Sequence, residues 1–373
     1  MKILLLGEYS NVHNTLAKGL RQLGHQVTVA SNGDGWKDYP RDVNLKRRSC
    51  SAADSLRFLL RLLREFRKFR GYDVVQIINP VFIDLKAERI LPYYKYLRKH
   101  NRHIVMGAFG MDHYYVKACL DMKTFRYSDF NFGSSERLSE ENACFKRDWL
   151  NGAKGQLNRI VAADADAIVA GLYEYYASYS NHFSPTGKLR FIPFPVVEDA
   201  AEEIPPREAG APVRFFIGIQ EKRSAYKGTD IMLRALERVK AARPEACIVH
   251  KAVSLPFKEY VKLMAESEVI LDQLYSYTPA MNALEAMSHG LINVGGAEPE
   301  NYAIIHEERL RPVVNVEPNE EDVYRKLLEL VDRRDELIPR LRRESLEYIH
   351  KHHNCIKVAK QYADLYEHLL TRG

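Results

Sequence analysis

MKILLLGEYSNVHNTLAKGLRQLGHQVTVA, residues 1–30, sets the architecture. Residues 2–6 are an aliphatic run suited to a strand covered on both faces, and Val12, Leu16, Leu20 and Leu23 then recur at helical spacing. Gly24 supplies a stop, and residues 26–30 read as a second strand. A buried strand, a turn, a helix and another strand open a parallel sheet, because parallel neighbours need a crossover between them. Further along, short buried strands are expected at 73–78, 104–108 and 167–170, separated by segments long enough for crossover helices.

Near residue 196 the character changes. Glu198, Asp199, Glu202, Glu203, Pro205, Pro206, Gly210 and Pro212 make an acidic, proline-marked linker. Strands at 213–219, 247–253, 269–274 and 291–294 then alternate with helices at 230–241, 257–266 and 282–288, and the tail over 340–369 reads as a charged helix. The expected fold is α/β, two Rossmann-like doubly wound domains facing a cleft. A ligand would bind in that cleft, at the carboxyl ends of the strands. A length of 373 residues suits two domains at about 150 residues each.

Composition removes several classes of function. Lys plus Arg number 55 against 49 Asp plus Glu, a net +6 that falls short of a dedicated nucleic-acid binder. The opening apolar run is too short for a secretion signal, and no stretch approaches the roughly 18 apolar residues of a membrane span. Five cysteines without a C-x-x-C pair argue against a disulfide framework or a zinc site, and a reducing cytoplasm is the expected location. The first turn, Gly7-Glu8-Tyr9-Ser10-Asn11-Val12, lacks the later glycines of a dinucleotide fingerprint, and no P-loop occurs. That turn is either a loop facing the cleft with His13 as a contact or a plain turn with a surface histidine.

Two segments carry chemistry. Residues 216–230, FIGIQEKRSAYKGTD, are a strand end followed by a loop with Lys222, Arg223 and Lys227, cations placed where a diphosphate needs neutralising; a solvated basic loop is the plain alternative. Residues 275–290, YSYTPAMNALEAMSHG, place Thr278 as a helix cap and Pro279 as first helical residue. The N–H groups of Ala280, Met281 and Asn282 would then face an anion at the positive end of the helix dipole. Glu285 follows Thr278 by two helical turns in an apolar setting, either holding a hydroxyl-rich group or standing as an ordinary surface acid.

Taken together, 218–230 with Lys227-Gly228, the 284–287 block LEAM with Gly290, and Gly295-Gly296 with Glu298 resemble the donor domain of GT-B glycosyltransferases of the retaining family 4 type. Residues 163–169, ADADAIV, and 190–193, RFIP, resemble the end of that family's acceptor domain. The resemblance implies an acceptor domain over 1–195, a linker over 196–212 and a nucleotide-sugar donor domain over 213–350. A last helix over 351–373 would return toward the first domain. By position, Arg223 and Lys227 would bind the donor diphosphate, with Lys222 as fallback, and Glu285 the ribose hydroxyls. Neither a cofactor nor a metal is expected. Counting back eight places from Glu285 lands on Tyr277, so the first glutamate of the family's E-x7-E arrangement is absent, and Tyr277 or Thr278 would offer a neutral hydroxyl instead. In the first domain the family places a His or Asp near the reacting sugar, and 107–113, GAFGMDH, nominates Asp112 and His113, or else is a loop without a chemical role. The implied reaction moves a sugar from a nucleoside diphosphate to a saccharide or lipid-linked acceptor with retention. A nucleotide-sugar epimerase and a non-catalytic membrane-bound sensor are the rivals.

Residues 55–70, SLRFLLRLLREFRKFR, form the most polarised segment, with Arg57, Arg61, Arg64 and Arg67 beside a leucine and phenylalanine stripe. Such a helix suits an anionic membrane surface. For the apolar stripe the favoured reading is a crossover helix that packs on the sheet while the arginines face water, and the two readings are compatible, with the arginines still serving a protein peripheral on the inner face of the plasma membrane.

Overall fold

The structure is a computed structural model describing residues 1–198, 204, 206–220 and 223–372, with only the backbone at position 257. In chain order the first strands are β1 (Lys2–Leu6), β2 (Gln26–Ser31), β3 (Val43–Asn44), β4 (Val74–Ile77), β5 (His103–Ala108), β6 (Asn131–Phe132), β7 (Ser135–Glu136), β8 (Ala167–Ala170) and β9 (Leu189–Phe191). They are followed by β10 (Val213–Ile219), β11 (Cys247–Val253), β12 (Val269–Leu271), β13 (Ile292–Gly295) and β14 (Val314–Asn315). Among the described residues these form a seven-stranded sheet ordered β3-β2-β1-β4-β5-β8-β9, a five-stranded sheet ordered β11-β10-β12-β13-β14, and the β6-β7 hairpin. Both large sheets are parallel throughout. Central strand β1 pairs Leu4 with Thr28 on one side and Val75 on the other, and Ile3 through Leu6 have no exposed surface. A run apolar on both faces is what such a position demands.

The chain divides into two compact units: Met1–Thr124, Glu140–Pro195 and Cys355–Gly373 in one, Phe125–Ser139 and Val196–Asn354 in the other. Phe125–Ser139, expected within the first domain, therefore groups with the second. The tail, expected as one helix, is two, Arg334–His352 and Cys355–Arg372. Between them Val196 N–H donates to the His353 carbonyl (2.7 Å), and Asn354 bridges Val196 in strand fashion. That pairing requires extended backbone and so interrupts the helix.

In the first unit, helix Cys355–Arg372 lies on helix Val12–Gln22 at Gly19. A Cβ there would fall 2.3 Å from the Cys355 carbonyl oxygen and 2.7 Å from the Ala359 Cβ, so only glycine permits the contact. Beneath it runs a buried relay. Tyr366 donates to Gln76 Oε1 (2.6 Å), the Gln76 amide meets His13 Nε2 (3.1 Å), and His13 Nδ1 meets the Gly7 carbonyl (2.9 Å). With Nδ1 donating to a carbonyl, Nε2 is left to accept, so the ring is neutral; burial holds its pKa down at about 3. His13 is thus neither a cleft contact nor a surface histidine, since it has no exposed surface.

Glu8 has a consequence for pH. Its carboxylate accepts from the His13 and Asn14 N–H groups at the start of helix Val12–Gln22, at 3.2 and 2.9 Å, yet burial outweighs these bonds and pushes it up to about 8. Between about 4.5 and 8 the folded chain keeps a proton that the unfolded chain has released, so stability is lost as pH rises through that window. The melting temperature of the wild type is expected to fall from pH 5 to pH 8 more steeply than that of Glu8→Gln. Parallel slopes in a calorimetric pH series refute the assignment, whatever constant offset the substitution adds.

Candidate active site

The carboxyl edge of the five-stranded sheet is built from the loops that follow β10, β12 and β13, the position at which parallel α/β sheets bind ligands. After β10 comes a short helix, Ser224–Lys227, closed by Gly228 at φ 75°. Gly228 is required twice. Its φ is left-handed, and a Cβ would fall 2.6 Å from the Leu274 Cβ. The close approach lets Leu274 N–H donate to the Lys227 carbonyl (3.0 Å), which ties the basic loop to the loop after β12. The Lys227 side chain is half-buried, and it has no hydrogen bond or ion pair among the described residues. Arg223 lies over the Tyr226 ring, 4.9 Å from its centroid. Lys222 lies outside the described residues.

The helix expected to begin at Pro279 begins at Met281, with Ala280 in extended conformation as its N-cap. Its first backbone bond runs from Leu284 N–H to the Ala280 carbonyl (2.9 Å), so the N–H groups of Met281, Asn282 and Ala283 have no partner within the helix. The N–H groups left without an intrahelical partner are therefore shifted along the chain from the expected set. Asn282 sits in a polar cluster, with its Nδ2 donating to Asp272 (2.9 Å) and its Oδ1 accepting from the Tyr260 hydroxyl (3.0 Å). Burial first, then the charges of Asp272 and Glu285, raise the Tyr260 phenol above its ordinary value. Glu285, one turn beyond Asn282 and half-buried, thus projects its charge toward this cluster.

Tyr277 and Thr278, expected to present hydroxyls to the donor sugar, are 2% and 3% exposed. The Tyr277 hydroxyl accepts from Arg126 N–H (2.6 Å), and burial raises its pKa to about 12. Its ring lies beneath the Arg126 guanidinium, 4.8 Å from centroid to carbon. The position of the absent glutamate is therefore closed by protein and offers no hydroxyl to a ligand in this arrangement.

Arg126 belongs to Phe125–Ser139, the segment that sequence reasoning left in the first domain. It ion-pairs with Glu298 and Glu300, and Tyr127 donates to Glu298, whose other contacts include Asn315 Nδ2 (3.0 Å). Arg137 stacks on Tyr275 at 3.3 Å and donates to the Ala225 carbonyl at 2.8 Å, and Tyr226 donates to Asp129 (2.7 Å). The segment thus clamps the loop that carries Lys227 against the loop after β12. A signal was present. Gly133-Ser134 between Phe132 and Ser135 is a Gly-X hairpin turn, and Gly133 has the positive φ, 57°, that such a turn needs.

Asp112 and His113 are placed differently from expectation. Asp112 has no exposed surface and caps helix His113–Leu120, accepting from Tyr115 N–H (2.9 Å) and the Tyr179 hydroxyl (2.8 Å). Burial raises its pKa to about 6. His113 is likewise held by the protein: its N–H donates to Asn158, Nδ1 meets the Trp149 carbonyl (2.9 Å), and burial lowers its pKa. Both residues hold the helix in place. Among the described residues no group of three His, Cys, Asp or Glu side chains is arranged to hold a metal.

No family model and no curated protein matches this sequence. Solved structures do. The chain is similar to sucrose-phosphate synthase from Thermosynechococcus elongatus, with TM-score 0.63 and 14% identity over 100% of both chains. It is also similar to Anabaena Alr3699/HepE in complex with UDP and glucose, at 0.59 and 12% over 98% of this chain and 99% of that one. UDP-GlcNAc 2-epimerase from Neisseria meningitidis, bound to UDP-GlcNAc, gives 0.54 and 12% with the same coverage. The fold is GT-B. Identities this low establish the fold alone, so residue roles on this GT-B framework rest on the geometry above.

Gly296 tests that geometry. A Cβ on it would stand 1.7 Å from the Ser276 carbonyl oxygen, a backbone atom with no room to move, so the loops after β12 and β13 meet main chain to main chain. Gly296→Ala is expected to destabilise the GT-B fold by about 1–3 kcal/mol, the scale of overpacking, and to weaken nucleoside diphosphate binding by separating these loops. Unchanged melting and unchanged titration with UDP, GDP and ADP would show that the contact is dispensable.

Proposed function

We propose that this protein transfers a sugar from a nucleoside diphosphate donor to a hydroxyl group of a saccharide or lipid-linked acceptor, with retention of anomeric configuration. The observation that carries this reading is Lys227, a half-buried lysine without an ion pair among the described residues, at the carboxyl edge of a parallel sheet. A cation left without a protein anion at such an edge is placed to meet a ligand's negative charge. Arg223 shares its loop, and the helix that starts at Met281 turns its N-terminal amides to the same edge of the sheet. Glu285 is assigned to the ribose hydroxyls.

In the reaction the bond from the anomeric carbon to the diphosphate oxygen breaks, and that oxygen keeps the electron pair. The acceptor oxygen bonds to the anomeric carbon and its proton is released. Lys227 and Arg223 act on the charge that grows on the departing diphosphate, and such stabilisation by preplaced groups is often the largest catalytic contribution. The likeness to UDP-sugar enzymes supports this reading at the level of fold.

The test is a thermal-shift panel of UDP, GDP, ADP and their sugars, followed by an assay of nucleoside diphosphate release with and without acceptor extract. A ligand at 100 times its dissociation constant stabilises the fold by about 2.7 kcal/mol. Acceptor-dependent release supports transfer. Turnover of the donor sugar without an acceptor makes the protein an epimerase, and binding without turnover makes it a sensor.

A further inference from the structure

Helix Ala52–Phe66 divides its apolar residues between two faces. Phe58, Leu62 and Phe66 are buried, and the Phe66 ring packs edge-on against Phe69 and Tyr93 at 5.1 and 4.7 Å. Leu56, Leu60 and Leu63, expected to lie on the sheet, are instead 60%, 59% and 52% exposed. At about 100° per residue, these leucines and Arg67 fall within roughly 60° of one another around the helix, and Arg64 and Arg57 follow along one edge. The result is an exposed leucine ridge bordered by cations.

The charges belong to that surface in unequal degree. Arg57 and Arg64 are largely exposed, as are Arg67, Lys68 and Arg70. Glu65 pairs with Arg64 and Lys68 from a buried position, and Asp54 pairs with Arg57, so the acids do not cancel the exposed excess of cations. Arg61, expected to face a membrane with the others, turns back to donate to the Lys46 carbonyl and lies over the Phe58 ring at 5.6 Å. It belongs to the packed side.

We propose that this ridge docks on the surface of an anionic lipid bilayer, with Leu56, Leu60 and Leu63 immersed among the acyl chains and Arg57, Arg64 and Arg67 at the headgroup phosphates. Two features, the leucines and the cations, together select a bilayer from other occupants. A nucleic acid would use the cations but leave three leucines in water. A second copy of the chain, apposed ridge to ridge, would bring two sets of like charges together. A bilayer matches both, because apolar immersion and headgroup charge lie side by side at its surface. No helix among the described residues is long and apolar enough to cross a membrane, so attachment of this kind is peripheral. The inference stands independently of the proposed transfer reaction.

The experiment is co-sedimentation of the full chain with vesicles of phosphatidylglycerol and phosphatidylcholine, and with phosphatidylcholine alone, at 50 and 150 mM salt. The wild type should bind the mixed vesicles and bind less at higher salt, since screening acts over about 8 Å at physiological ionic strength. Leu56→Ser, Leu60→Ser and Leu63→Ser combined should lose roughly a hundredfold or more in partition at both salts, because three leucines forfeit their immersion. Arg57→Gln, Arg64→Gln and Arg67→Gln combined should lose roughly a hundredfold at low salt, at about 1 kcal/mol for each cation. Arg61→Gln should bind as the wild type does. All positions of the leucine set are exposed, and unchanged melting and unchanged nucleotide titration verify that the variant is folded and that its donor site is intact. Wild-type partition by the leucine variant overturns the proposal. So does equal binding to phosphatidylcholine alone, or a sedimentation velocity result in which the wild type dimerises through the ridge and ignores vesicles.

Discussion

Lys227→Ala is expected to lower turnover by about 10² or more, the scale of losing one oriented group that stabilises developing charge. The side chain makes no hydrogen bond or ion pair among the described residues, so its removal breaks none of these. The loop is held by Leu274 N–H on the Lys227 carbonyl, by the left-handed Gly228, and by the Arg137 and Tyr226 contacts to and from Phe125–Ser139. Melting should therefore change by no more than about 0.5 kcal/mol, as for other substitutions outside packed or paired positions. Lys227→Arg should recover part of the activity, because the charge is kept while its reach and geometry differ. The measurement is steady-state release of nucleoside diphosphate, with calorimetric titration of the free nucleoside diphosphate alongside. Near wild-type turnover in Lys227→Ala removes the residue from the mechanism and with it the main support for the proposed function.

Glu285→Ala is expected to weaken nucleoside diphosphate binding by about 1.5–3 kcal/mol, the range for hydrogen bonds to a charged group, or roughly 10- to 150-fold in the dissociation constant. Position strengthens the assignment. Glu285 is half-buried one turn beyond Asn282, and its charge is among the causes that raise the Tyr260 phenol. Glu285→Gln keeps the shape and one acceptor and should fall between wild type and alanine. Calorimetric titration of the folded variants decides the matter. Unchanged affinity would assign Glu285 a structural part, or contact with the sugar in place of the ribose.

The cap at Thr278 shows where sequence reasoning overreached. Thr-Pro is a sound helix start by local chemistry, and the residues do lead into a helix, yet the chain first runs extended through Ala280. Glu298 N–H donates to the Tyr277 carbonyl (2.9 Å), so the loop after β13 holds this stretch in extended form and delays the helix. Asp112 illustrates the opposite case. An Asp after a strand is ambiguous between a base and a cap, and burial with the Tyr179 hydroxyl on its carboxylate decided for the cap. Phe125–Ser139 was missed because it has no periodicity, and its contacts through Arg126 and Arg137 are to residues far along the chain.

Legible in the sequence alone are the alternation of buried strands and helices, the two parallel sheets, the basic loop after one strand and the helix bearing Glu285 after another. These are local: a run of β-branched and aliphatic residues, a helical period and a glycine each act within a few residues of themselves. Packing between distant parts of the chain determines which side chains remain open to a ligand. Tyr277 is sealed under Arg126 and Lys227 is left without an ion pair among the described residues. The leucines of Ala52–Phe66 likewise divide into a buried and an exposed set that one helical period cannot separate. Exposure is a property of everything packed around a residue, and the partners that bury or spare these side chains are distant in sequence, so neighbouring residues carry no record of them.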